Sequence, residues 1–125
     1  MSLSTILPFT ATTAIAGYRI LKHGGADGAA VQATAATEDF VGVSDAMGAV
    51  VGGVCDVHLA GLAEVEYGGA VTRGARLTSD ALGRAVTAAP AAGQTVEIIG
   101  RALKSGVLGD IGSVNLARST YTRPA

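Results

Sequence analysis

The chain has 125 residues, enough for a single domain that buries roughly two-thirds of its unfolded surface. Its apolar fraction is 49%, much of it Ala, and with 4% aromatics and no Trp the core must be built from Val, Leu and Ile. A formal charge of −1 leaves no electrostatic footprint for nucleic acid or an anionic membrane, and no apolar run is long enough to span a bilayer.

Residues 1–13 lack strand alternation and carry an apolar centre at Leu3, Ile6, Leu7 and Phe9. They lack the basic start of a signal peptide, the first basic residue being Arg19, so synthesis in a reducing cytoplasm is expected. Two readings stand for this stretch: a frayed end or edge strand closing a barrel, or an extended arm that orders on a partner. Ala16 to Lys22 is expected to be a strand ending in the glycine turn 23–28. A short strand around Val31 and another over Phe40–Val43 follow, then the glycine-rich apolar loop 46–53. From Val54 to Tyr67, apolar residues (Val57, Leu59, then Leu62, Ala63, Val65 and Tyr67) give two short alternating runs hinged at Gly61. Short runs at Ala75–Leu77 and Ala85–Val86 flank the turn 79–83. Val96 to Leu103 and Val114 to Arg118 are the last strands, and STYTRPA is the tail. Helical periodicity is absent, although 45–51 or 102–108 could each hold one turn.

The halves repeat. Gly17–Ile20 reappears as Gly74–Leu77, 57 positions on; Gly28–Val31 as Gly83–Val86, 55 on. Val41-Gly42 matches Ile99-Gly100 at 58, and Val57-His58-Leu59 matches Val114-Asn115-Leu116 at 57. Duplication of one β unit leaves such a record, with a steady offset in strands and small indels in loops. Two open sheets that pair also bury each other's edges. The expected fold is therefore all-β: a small pseudo-two-fold antiparallel β-barrel or sandwich from an internal duplication, with an extended N-terminal arm. The expected division is an arm at 1–13, one β domain at 14–118 with repeat halves near 14–60 and 71–117, and a tail at 119–125.

Chemistry is sparse. Asp56, His58, Glu64 and Glu66 alternate with Val57, Leu59 and Val65, as on a solvated sheet face. Cys55 is the single cysteine, which excludes an internal disulfide and a thiolate cluster; no neighbour in sequence would lower its pKa. No G-x-S-x-G occurs, and in Gly100-Arg101-Ala102-Leu103-Lys104-Ser105 a leucine stands where a phosphate loop needs glycine before the lysine. No cofactor and no metal is expected, and no enzymatic activity.

The succession V-x-L-x-G-x-A-E-V (Val57–Val65), V-T-x-G-x-x-L-T-S-D-x-x-G-R-A-V (Val71–Val86) and I-I-G-R-A-L (Ile98–Leu103) resembles the capsid decoration, or cement, proteins of tailed phages. Some members of that family carry a recombinase label, which the failed phosphate loop does not support. The resemblance covers roughly Ala14 to Leu116. It implies a β-rich protein on the outer surface of an assembled virion head, bound at junctions of the major capsid protein and stabilising the shell. It also implies a homo-oligomer, with a trimer favoured over a dimer. Leu3, Ile6, Leu7 and Phe9, with Tyr121 and Arg123 in the tail, are the expected capsid or neighbour contacts. The competing reading is a β module of a larger surface or fibre assembly that binds glycan or protein. An enzyme would need Asp56, His58 and Glu64 to converge on a metal.

Overall fold

A computed structural model describes residues 4–125, and the described residues contain strands and turns but no helix. The strands are β1 (Ser4–Ala11), β2 (Ile20–His23), β3 (Ala29–Gln32), β4 (Phe40–Ser44), β5 (Val54–Glu66), β6 (Arg76–Ser79), β7 (Ala85–Thr87), β8 (Thr95–Ala102) and β9 (Ile111–Thr122). The small all-β barrel expected from the alternation is what forms. Residues 45–51 and 102–108, where a helical turn was allowed, form turns and isolated bridges instead.

β1, β3, β2, β4 and β5 pair in that order, and β1 also pairs with β5. The circuit closes into a five-stranded barrel. Every pairing is antiparallel except β1–β3, which joins Thr10 to Ala29 and Ala11 to Ala30 in parallel. The same circuit recurs downstream through β5, β9, β8, β6 and β7. There it is closed by a single parallel bridge, Tyr67 to Ala85. β5 therefore serves twice: residues 54–61 pair with β1, and residues 61–66 pair with β9. The pivot is Gly61, whose φ of +85° lets an otherwise continuous strand turn from one barrel to the other.

Equivalent hydrogen bonds recur in the two circuits. The Ala11 N–H donates to Gly53 O and the Tyr67 N–H to Asp110 O; the Gly52 N–H donates to Ala11 O and the Gly109 N–H to Tyr67 O. The bridge Ile15–Ala49 recurs as Val71–Gly106. Gly42 lies under His58 O, where a Cβ would come within 2.1 Å; Gly100 lies under Asn115 O, where the distance would be 2.2 Å. Both are glycines because two strands cross with no room for a side chain.

One equivalence differs from the sequence reading. Leu21 is opposite Gly42, and Leu77 is opposite Gly100, so this strand repeats at an interval of 56, not 57. Tyr18 then corresponds to Gly74, and both have positive φ, +61° and +87°. The left-handed backbone at Tyr18 interrupts the extended run, and β2 begins at Ile20 and not at Ala16. At the N-terminus, β1 takes in most of the stretch read as an arm, and its counterpart is the second half of β5. At the C-terminus, β9 runs on through Ser119–Thr122, paired with Ile98–Thr95.

Two apolar clusters form. Leu21, Ala30, Val41, Cys55 and Val57 fill the first; Val65, Tyr67, Leu77, Ile99 and Val114 lie in the second, which also takes in Ile20, Phe40 and Val43 from β2 and β4. The alternation along β5 sets this, with Cys55, Val57, Ala63 and Val65 buried between exposed or half-exposed neighbours. Each such side chain contributes at most about 1.5–3 kcal/mol by transfer from water.

Candidate functional site

Among the clefts on the surface of the described residues, two are of interest. One, of about 440 Å³, is lined by Tyr18, Ser44, His58, Glu64 and Ser113 among others. The second, of about 380 Å³, lies between the first barrel (Asp39, Phe40, Leu59) and the β8–β9 ribbon (Glu97, Ile98, Ser119). His58 and Glu64 thus share a cleft, but Asp56 does not line it. Among the described residues no three His, Cys, Asp or Glu side chains stand close enough to hold a metal ion. Glu66 is engaged elsewhere, paired with Arg19 at 3.1 Å.

Cys55 is fully buried in the first barrel. Burial, and then the nearby carboxylates of Asp45 and Asp56, push its thiol up to about 11. A thiol so placed is a packing group and not a nucleophile. Tyr67 is likewise pushed up by burial and by Asp110, and its hydroxyl donates to Lys104 O at 2.5 Å. Glu38 is shifted in the opposite direction. Desolvation opposes its charge, but Lys22, the Thr34 hydroxyl and the backbone N–H groups of Thr34 and Ala35 together outweigh it and hold the carboxyl at about 2. Its work is local: it staples the β3–β4 connection to β2.

The expected contact residues fall in separate places. Leu3 lies outside the described residues. Ile6 and Leu7 project from β1, about half exposed, while Phe9 packs against the first core. Tyr121 is half-buried beneath the Arg76 guanidinium, 4.4 Å from the ring centroid. Arg123 donates to Pro90 O, and its backbone is bound to Gly93 and Gln94. β1 and β9 are not paired with each other: Ile6 and Leu7 lie opposite His58 and Val57 on β5, and Tyr121 lies opposite Val96 on β8.

The outer edge of β1 has a built-in restriction. The Thr10 N–H donates to Gly28 O on the β3 side, so by the two-residue period the backbone of Pro8 and Ile6 faces that same edge. Pro8 has no N–H to offer there. A strand added beside residues 6–9 would meet a missing donor, a usual way to protect an exposed edge.

The sequence reading missed the most exposed apolar surface. It sits in the β4–β5 and β8–β9 connections, where Val50, Val51 and Val54 are 75%, 68% and 67% exposed, and Val107, Leu108 and Ile111 are 60%, 61% and 36% exposed. The signal was in the sequence: AVVGGV and GVLGDI lie 57 positions apart. The two tips are built alike. The Gly53 N–H donates to Val50 O and the Asp110 N–H to Val107 O, and Gly52 and Gly109 both take positive φ.

No family model matches the chain, and no curated protein sequence matches it. Among solved structures it is similar to the N base of the head fibre gp8.5 of bacteriophage phi29. The TM-score is 0.67 at 20% identity, covering 95% of this chain and 98% of that one. What the two share is the fold. The likeness runs over nearly the whole of both chains, so it takes in both barrels of the present fold and not a single β unit.

Proposed function

We propose that this chain is a non-enzymatic structural protein of a tailed-phage head, bound to the outer surface of the assembled shell at junctions of the major capsid protein. The observation that carries this reading is the end-to-end likeness to a chain described as the base of a head fibre. Supporting it are the exposed apolar tips and a formal net charge of only −1. A protein that binds only the assembled shell stabilises it by mass action, and copies that bridge subunits gain further from avidity. The reading includes self-association, with a trimer favoured over a dimer.

The test is re-addition of the purified chain to heads stripped of it. Saturable co-sedimentation and a raised temperature of head disruption are expected. Heads that neither bind it nor gain stability would end the proposal.

The neighbour's description also favours the second reading, a β module at the foot of a larger fibre. The two differ in what lies above the shell. Density continuing outward from the bound chain marks a fibre base; density that ends with it marks a decoration protein.

A further inference from the structure

We infer that the two repeated loop tips, Val50-Val51 with Val54 and Val107-Leu108 with Ile111, are a matched pair of docking points that bind two copies of one subunit of the shell. This rests on the head-surface reading above and says which parts of the molecule do the binding.

Four observations carry it. First, both tips present exposed aliphatic side chains at equivalent positions, Val50 with Val107, Val51 with Leu108 and Val54 with Ile111. Asp56 corresponds to Ser113 and His58 to Asn115, so these two polar sites have diverged between the barrels. The exposed tips have stayed aliphatic in both. Val or Leu exposed to 60% or more gains nothing for the isolated fold, so its retention in both copies points to burial in an assembly.

Second, the tips are held in shape. The Gly52 and Gly109 N–H groups donate into the backbone of Ala11 and Tyr67, and the Asp110 carboxylate accepts from the Val107 N–H at 2.9 Å. Docking therefore orders little that is not ordered already, which lowers the entropic cost of binding.

Third, the tips lie at opposite ends of β5. The first leads into the start of β5, and the second leads into β9 opposite Glu66 at the end of β5. Thirteen strand residues put them at most about 40 Å apart. Two like tips at the two ends of one body need two like pockets, and a shell of repeated subunits supplies them.

Fourth, the occupant is apolar and not a charged lattice. The first tip, 46–54, contains no charged residue. In the second, the Asp110 carboxylate accepts from the tip's own backbone, and the one other charge in the matching stretch 103–111 is Lys104, three residues before Val107.

The experiment compares head occupancy of the intact chain, V50D/V51D, V107D/L108D, the four-fold variant, and the control Ala92→Asp on an exposed loop. Circular dichroism melts establish that each variant folds. The expected result is that either pair lowers the apparent affinity for stripped heads by about a hundredfold, the loss of the second point of attachment. The four-fold variant should not bind, and the control should bind like the parent. If the parent binds and the tip variants bind equally well, the tips are not the docking points, though the head-surface reading stands. If only one pair matters, the two-point arrangement is wrong. If the parent does not bind heads at all, both proposals fall. Sedimentation velocity of the chain alone supplies the remaining arm: self-association that disappears in the tip variants would show that copies cover each other's tips, and would overturn the assignment to the shell.

Discussion

Tyr67 fits in the second barrel because Gly112 has no side chain: a Cβ there would lie 2.1 Å from the phenol oxygen. The first barrel solves the same space differently. Ala11 stands in the place of Tyr67 and Cys55 in that of Gly112, both fully buried. One barrel pairs a large residue with none; the other pairs two small ones.

The exchange of volume predicts a coupled pair. Tyr67→Ala should cost about 3–5 kcal/mol and Gly112→Cys about 1–3 kcal/mol, the first by a cavity and the second by overpacking. The double variant, which copies the first barrel, should be more stable than the sum of the two by at least about 1 kcal/mol. Urea unfolding of the four proteins measures this, and simple additivity would show that the two sites do not share one space.

Gly74 has open space around it but a φ of +87°. Gly74→Ala is therefore expected to cost about 1–2 kcal/mol from backbone strain alone. Gly25, also in open space but without positive φ, is the control, and Gly25→Ala should be close to neutral. Comparison of the two urea midpoints checks it.

Glu38 predicts the acid limb of stability. Its folded pKa is depressed from 4.5 to about 2, so it contributes stability that is fully present above 4.5 and lost as pH falls toward 2. Glu38→Gln should lose about 1–2 kcal/mol at neutral pH and show a flatter midpoint between pH 5 and pH 2. An unchanged slope in that window would assign the acid sensitivity to other carboxylates.

The Cys55 thiol should be nearly unreactive in the native state. Burial and a pKa near 11 leave almost no thiolate at pH 8. Labelling by a disulfide reagent should be slow in buffer and complete within the mixing time in 8 M urea, read as released chromophore.

Much of the fold was legible because alternation and glycine are strong local signals. The β5 pattern around Val57 and Val65, the pivot at Gly61 and the equivalence of Gly42 with Gly100 could all be read from residue type. What could not be read depended on partners distant in sequence. β1 shows no alternation because Ile6 and Leu7 are both half exposed and Pro8 faces an open edge, so its pairing with β5 is visible only in three dimensions. Tyr18 gave no warning of its left-handed backbone, since only its counterpart, Gly74, has the residue type that such a φ calls for. The apolar tips were passed over as loops, because a glycine-rich apolar stretch reads equally well as buried or exposed until its burial is known.

The most direct measurement is a cryo-EM reconstruction of heads with and without the chain. The account predicts difference density on the outer surface at capsid subunit junctions. It should fit the two-barrel body with the Val50-Val51 and Val107-Leu108 ends lodged in equivalent pockets of two subunits. Heads that look the same with and without the chain, or density with both tips in solvent, would contradict it.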